Sequence, residues 1–223
     1  QQMNAKVKEM VAEALQSEGV EEIIKIGGSS NGEEDIFSEE YLDQLSKMKM
    51  PNTKIQLLQK LLQKAIGQLS KVNKIQGVDF TKKMQALVEK YNERDGNLFT
   101  GEVFDEIADA MTELIYDIKK EFSSGDELGI DFEEKAFYDI LKAMASKYDF
   151  SYPEEKTLEL AKAVKKIVDD KSQFPDWSQR DDVKSMLKVE LIILMDENDY
   201  PPVDRDEVYQ EVFAQAENFK KNR

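Results

Sequence analysis

Apolar residues recur along most of this chain at intervals of three and four positions, which places them on one face of an α-helix. The clearest stripe runs from Ile55 to Val72, where leucine or isoleucine returns at every turn between polar residues. No segment alternates apolar and polar positions as a half-buried strand would. The pattern therefore predicts an all-α protein with about nine amphipathic helices in an irregular helical bundle and no significant sheet.

Capping preferences set the predicted helix boundaries. Residues typical of N-caps or first turns mark the starts after the first helix, Gln2–Glu18, at Ser38, Asn52, Asp79, Asp131, Pro153, Ser178 and Asp204. Asp131 with Glu134 has the spacing of a capping box. The stretch Ser123-Ser124-Gly125 predicts the end of the helix that carries Val103 to Ile118.

This break at residue 125 is the best place to divide the chain. We expect an N-terminal helical part, residues 1–125, and a C-terminal helical part, residues 126–223. The chain begins at Gln1 and not at a methionine, which favours one continuous fragment of a larger subunit.

Composition excludes several chemistries. The 223 residues contain 31 Lys and Arg against 46 Asp and Glu, a net charge of -15, and they contain neither Cys nor His. Thiolate nucleophiles, imidazole bases and Cys- or His-built metal centres are therefore excluded. No apolar run is long enough to cross a bilayer, so we expect no membrane association and a cytoplasmic protein.

The negative charge is unevenly distributed. Between Thr53 and Lys90 eight lysines stand against Asp79 and Glu89, a local net charge of +6, which leaves -21 for the remainder. This basic hairpin, residues 53–90, is a candidate charged contact with DNA or with an acidic protein surface. The candidate residues are Lys54, Lys60, Lys64, Lys71, Lys74, Lys82, Lys83 and Lys90. A solvated helix face is the alternative.

Aromatic residues supply the other candidates. Tyr138, Trp177 and Tyr200 could anchor a partner, since aromatic side chains often dominate interfaces. Trp177 and Tyr200 also flank a predicted helix, and they could equally fasten its ends to the core.

Motifs that would indicate catalysis are incomplete. A loop with the glycine spacing of a phosphate-binding loop, Gly27 to Gly32, is followed by two glutamates where Lys and Ser or Thr are required. The carboxylates Asp176, Asp181 and Asp182 suit the first turn of a helix better than a nuclease site. We predict no catalytic, cofactor-binding or metal-ligating residues.

Three segments carry a resemblance to a known family. They are Pro51-Asn52-Thr53 through the leucine-rich helix to Arg94, Leu128-Gly129-Ile130 with Glu133 to Asp139, and Asp176-Trp177-Ser178 running to Tyr200-Pro201-Pro202. In this order the chain resembles, over nearly its whole length, the C-terminal helical region of the restriction (R) subunit of type I restriction–modification enzymes.

The resemblance implies a role without chemistry of its own. In that family the parent subunit is an ATP-dependent, Mg-requiring, site-specific deoxyribonuclease, with its nuclease and DNA-translocating motor domains before this region. The helical region would pack on the motor and dock the subunit onto the methyltransferase and specificity subunits, with DNA reached through the complex. No cofactor would be bound by this fragment.

Three other interpretations remain open. The chain could be an autonomous acidic helical adaptor with no link to restriction. It could respond to calcium, because Tyr91 to Glu102 resembles a calcium-binding loop that has tyrosine in place of the first carboxylate. An enzyme working through paired Asp and Glu residues is the remaining possibility.

Overall fold

The structure, a computed structural model, describes residues 38–93, 101–174, 176–201 and 205–222. Over this part of the chain every regular element is helical, which confirms the all-α prediction. The first predicted helix, Gln2–Glu18, lies outside the described residues. The α-helices are α1 (Glu39–Ser46), α2 (Pro51–Val72), α3 (Lys74–Asn92), α4 (Gly101–Leu128), α5 (Phe132–Lys147), α6 (Glu154–Ser172), α7 (Asp181–Glu197) and α8 (Arg205–Asn222). A short 3-10 helix, Trp177–Gln179, precedes α7.

The chain divides into two compact units that interleave along the sequence. Unit 1 takes its described residues from Gln1–Ala65 and Lys83–Lys119, and unit 2 takes them from Ile66–Lys82 and Lys120–Arg223. Helices α2, α3 and α4 each contribute residues to both units. The division of the sequence at residue 125 stays a prediction.

Unit 1 is built from amphipathic helices that bury one face each. Ser38 caps α1 as predicted, because its hydroxyl accepts the Tyr41 N–H at 3.2 Å. Asn52 is not a cap: α2 begins one residue earlier, at Pro51, and the Asn52 side chain accepts the Tyr91 hydroxyl at 2.8 Å. Proline is well suited to the first position of a helix, because a backbone N–H at that position would have no intrahelical acceptor and its absence costs nothing.

Unit 2 has a continuous apolar core. Helix α5 packs on α6 and α8, and α6 packs on α7. The core is formed by buried residues of all four helices together with residues of the connecting segments, among them Phe137, Leu141, Leu160, Val164, Trp177, Leu187, Leu191, Tyr200, Val208 and Val212.

Helix α4 ends later than predicted. Ser123 and Ser124 lie inside it, and their hydroxyls donate to carbonyls of the preceding turn, 3.0 and 2.7 Å away. The helix stops at Gly129, whose φ of 67° is the left-handed conformation that glycine adopts without strain. The Ile130 N–H then bonds the Gly125 carbonyl at 3.0 Å, as in a Schellman motif.

Two helix starts also differ from prediction. Helix α3 begins at Lys74 and not near Asp79, since the Asn73 side chain accepts the Gln76 N–H at 3.2 Å and acts as its cap. Ser178 lies in the 3-10 helix, and α7 starts at Asp181. The capping box of Asp131 and Glu134 is confirmed at the start of α5.

Candidate interaction surfaces

The eight candidate lysines lie on α2 and α3, and each of their side chains is exposed or half-buried. Helix α2 carries four of them and no acidic residue. Lys60 and Lys64 are one helical turn apart and both exposed, so they form one basic face within unit 1.

Acidic or polar groups engage some of these lysines. Lys90 lies 3.6 Å from the Glu106 carboxylate, and the Lys54 ammonium donates to the Ser46 carbonyl at 3.4 Å. At Lys74 it is the backbone N–H that is held, by the Gln215 side chain at 2.8 Å. A contact with DNA or with an acidic partner through the lysines stays a prediction.

The three aromatic candidates lie in the core of unit 2. Trp177 is fully buried, with its ring edge-on to Phe213 at 5.3 Å between centroids. Tyr200 is 1% exposed, and its hydroxyl donates to the Leu141 carbonyl at 2.9 Å. Burial raises the pKa of Tyr200 well above its ordinary value, so its hydroxyl stays a donor.

Tyr138 is also buried, at 5% exposure, and its hydroxyl donates to the Glu154 carboxylate. Side chains with so little accessible surface offer a partner almost nothing to cover. The structure therefore places Tyr138, Trp177 and Tyr200 in the core, and a role for them as partner anchors stays a prediction. The alternative for Trp177 and Tyr200 describes the structure: they fasten the segments before and after α7 to the core.

The corner between α2 and α3 is held by polar side chains of unit 2. Gln215 of α8 accepts the Lys74 N–H at 2.8 Å and donates to the Val72 carbonyl at 3.0 Å. Asn218, one turn further along, donates to the carbonyls of Ser70 and Lys71 at 2.8 and 2.9 Å. These bonds satisfy backbone groups that the break between two helices leaves open.

A buried ionic cluster completes this corner. The Asn73 amide donates to Asp139 at 2.7 Å, and Lys135 donates to both Asp139 oxygens and to Glu121, each at 2.7 Å. Lys135 and Asp139 are only 7% and 8% exposed. We define the corner cluster as Asn73, Glu121, Lys135 and Asp139.

Burial and pairing act in opposite directions on the pKa values of this cluster. Burial lowers the pKa of Lys135, but pairing with Asp139 and Glu121 outweighs it and holds that pKa above its ordinary value. Burial raises the pKa of Asp139 despite the opposing effects of Lys135 and Asn73.

Sequence reasoning missed the cluster and also an exposed apolar face. Lys135 and Asp139 are four residues apart on a helix, a spacing that signals an ion pair but not its burial. On α7 the inward stripe of Val183, Leu187 and Leu191 is accompanied by a second apolar stripe. Its members Met186, Val189 and Ile193 are 53%, 55% and 49% exposed.

Within the described part of the chain, no three Asp or Glu side chains come close enough together to hold a metal ion. None of the described helices combines the length and the apolarity needed to span a membrane.

The described residues define an acidic all-helical protein that has lysines along α2 and α3 and a solvent-exposed apolar face on α7. Residues 1–222 match the family described as type I restriction enzyme HindI endonuclease subunit-like, C-terminal, and the chain belongs to this family.

Two curated relatives agree with this assignment. A subunit provisionally named as the type I restriction enzyme MjaIXP endonuclease subunit, from Methanocaldococcus jannaschii, is 24% identical over 98% of this chain. The type I restriction enzyme HindI endonuclease subunit of Haemophilus influenzae is 25% identical over 95% of it. The matches cover 20% and 19% of these relatives, so the chain spans about a fifth of their length. No solved structure gives a significant match.

Proposed function

We propose that this chain is the non-catalytic helical assembly domain of a type I restriction enzyme R subunit. It packs on the ATP-dependent DNA-translocating motor and docks it to the methyltransferase and specificity subunits, in the cytoplasm. The family match over residues 1–222 is the observation that carries the proposal. ATP and Mg belong to the remainder of the subunit, and this domain binds neither.

The described surface suits an assembly role. A domain that works by packing needs faces with unburied apolar area or with charge of one sign. Unit 2 has the outer face of α7, and unit 1 has Lys54, Lys60 and Lys64 of α2. The aromatic candidates lie in the core, so among the described residues these exposed faces are better placed for such contacts.

Capture of the methyltransferase and specificity subunits tests the docking role. Immobilised chain and immobilised full R subunit are each incubated with the assembled methyltransferase and specificity subunits, and retention is measured. We expect both to retain them. Capture by the full subunit alone would move the docking surface to another part of that subunit, and the autonomous-adaptor interpretation predicts that the chain retains nothing.

The basic hairpin contributes a charged contact with DNA or with an acidic partner surface. Reversing Lys60, Lys64, Lys82 and Lys83 to Glu together should weaken DNA retention or assembly, and the loss should be greatest at low salt. If the contact is with DNA, each lysine on a phosphate adds about 0.9 to the slope of log affinity against log salt.

A matched pair on another helix controls for charge alone. Lys162 and Lys166 of α6 are exposed and one turn apart, as Lys60 and Lys64 are. We expect Lys60→Glu with Lys64→Glu to lower the salt slope and Lys162→Glu with Lys166→Glu to leave it unchanged. Equal behaviour of the two double variants would exclude a specific role for the hairpin.

A further inference from the structure

The glycine at position 67 lies inside α2, where neither packing nor backbone conformation requires it. Of the five described glycines, Gly129 has a positive φ, and a Cβ at Gly77 or Gly125 would meet other atoms at 2.1 or 2.8 Å. Gly101 is the first residue of α4. Around Gly67 nothing lies within 4 Å of the position that a Cβ would take. Because glycine is the least favourable helix former after proline, its presence here indicates a role outside the fold.

Three lysines surround Gly67 on the outer face of α2. Lys64 precedes it by three residues, Lys71 follows it by four, and Lys60 lies one turn before Lys64. At 100° per residue the four positions fall within about 60° of the helix circumference. All four are exposed, and helix geometry alone sets their spacing, because α2 is uninterrupted. We call Lys60, Lys64, Gly67 and Lys71 the α2 lysine face.

The α2 lysine face is cationic and has no counter-charge on its own helix, since α2 contains neither Asp nor Glu. Among the described residues, no carboxylate forms an ion pair with Lys60, Lys64 or Lys71. At 1.5 Å per residue the three lysines extend over about 16 Å, a length over which one strand of duplex DNA carries about five phosphates. The face is therefore long enough to follow a phosphate backbone.

The other residues on this side of α2 favour DNA over an acidic protein as the partner. The neighbouring exposed positions are the amides Asn52, Gln56 and Gln63. None of the large apolar side chains that the described residues expose lies on α2. Protein interfaces have an apolar or aromatic centre and are depleted of lysine, whereas lysine, asparagine and glutamine all contact phosphates. Gly67 suits such a contact, because a position without a Cβ lets a sugar–phosphate backbone approach the helix closely.

We propose that the α2 lysine face binds the phosphate backbone of duplex DNA, with one strand passing over Gly67 between Lys64 and Lys71. The inference rests on the proposed function and deepens it. Of the two partners open to the basic hairpin it selects DNA, and it adds to the lysines a glycine that determines how closely the strand approaches. Contacts to phosphates alone carry no sequence information, so this face binds DNA of any sequence.

Substitutions of Gly67 separate this role from a role in folding. Fluorescence anisotropy measures binding of the chain to a short labelled duplex between about 50 and 200 mM salt. In Gly67→Ala and Gly67→Gln the melting temperature should be kept or raised. Their DNA affinity should nevertheless fall by about three- to ten-fold, and further for glutamine, because the strand is held farther from two lysines. Gly101→Ala and Gly101→Gln, at the equally open glycine of α4, should leave the affinity unchanged.

Lysine substitutions test the charge of the same face. Lys64→Gln with Lys71→Gln should lower the slope of log affinity against log salt by about 1.8, since each phosphate contact contributes about 0.9. The control is Lys162→Gln with Lys166→Gln, two exposed lysines one turn apart on α6, which should leave the slope unchanged.

Two results would overturn the inference. If the unsubstituted chain does not bind the duplex, or if Gly67→Gln binds it equally well, the strand does not pass over this face. If Lys64→Gln with Lys71→Gln keeps its DNA affinity but loses capture of the methyltransferase and specificity subunits in nuclease-treated samples, the face contacts an acidic protein surface. When the unsubstituted chain captures those subunits without binding DNA, the proposed assembly role stands and only this inference falls.

Discussion

Removing Asp139 should cost far more stability than removing a more exposed aspartate in the same helical arrangement. Asp139 is 8% exposed and accepts hydrogen bonds from Asn73 and Lys135. Asp139→Ala leaves the buried Asn73 amide without its acceptor, which costs about 1–3 kcal/mol. It also removes one of the two carboxylates that balance Lys135, and breaking a buried pair costs about 3–5 kcal/mol when nothing replaces the partner. Because Glu121 remains, we expect a total of about 3–4 kcal/mol.

Asp169 of α6 provides the matched control. It lies four residues after Lys165, just as Asp139 follows Lys135, and the two atoms that pair are 2.8 Å apart. Its side chain is 44% exposed, and when it is removed Lys165 still lies 3.7 and 3.8 Å from the carboxylates of Asp131 and Glu133. Asp169→Ala should therefore cost less than about 1 kcal/mol.

Urea unfolding followed by fluorescence measures both variants. Trp177 is the one tryptophan of the sequence and is buried in unit 2, the unit that contains both aspartates, so its emission reports the relevant transition. The double variant Lys135→Met with Asp139→Leu should cost at least about 2 kcal/mol less than the sum of its single changes, since Asp139 is then not left buried without its lysine. Glu121 loses Lys135 in the Lys135→Met variant and in the double variant alike, so its contribution does not alter this difference. Equal costs for Asp139→Ala and Asp169→Ala would refute the reasoning.

Three further predictions follow from single contacts. Gly125→Ala places a methyl group 2.8 Å from a backbone carbonyl oxygen and should destabilise by about 1–3 kcal/mol, whereas Gly67→Ala, with open space at its Cβ, should be neutral or stabilising in thermal melts. Lys147 and a tyrosine hydroxyl lower the pKa of Glu207. The charge on Glu207 therefore stabilises the fold fully above the ordinary glutamate pKa of about 4.3, and this stabilisation is lost as the pH falls through the lowered pKa. The difference in melting temperature between wild type and Glu207→Gln should thus shrink on acidification, and a difference that grows would contradict the sign. Tyr200→Phe leaves its buried carbonyl acceptor without the hydroxyl and should cost about 1–2 kcal/mol by circular dichroism, and an unchanged melting temperature would show that the bond contributes nothing.

Helical periodicity predicted the fold class because it depends only on the spacing of apolar residues along the chain. Helix boundaries were harder to predict where a contact with a residue far along the chain determines them. Ser123-Ser124-Gly125 has the composition of a helix end, yet the turn is formed at Gly129, where a positive φ is required. Asn73 caps α3 within a corner held by α5 and α8, through side-chain bonds that span 66 and 141 residues and that a local sequence pattern cannot indicate.

The burial of the aromatic candidates could not be predicted from the sequence for a related reason. A tryptophan or tyrosine beside a helix has the same sequence signature whether it fills the core or faces a partner. The contacts that bury these two side chains come from other helices. Phe213 of α8 packs against the Trp177 ring, and the Leu141 carbonyl of α5 accepts the Tyr200 hydroxyl. The exposed face of α7 could not be predicted either, because the sequence of a helix with two apolar stripes does not indicate which stripe is buried in the core.

The residues that carry the family resemblance differ from the residues that a partner could contact. The segments that resemble the R subunit include Asp139, Trp177 and Tyr200, and all three are buried within unit 2. Residues with almost no accessible surface stabilise the α2–α3 corner and the core of unit 2, and a partner cannot contact them directly. Recognition must then depend on exposed positions such as the exposed face of α7 and the lysines of α2. Substituting those positions should change assembly while leaving the unfolding free energy nearly unchanged, whereas substituting the buried ones should change stability first and assembly only as a consequence.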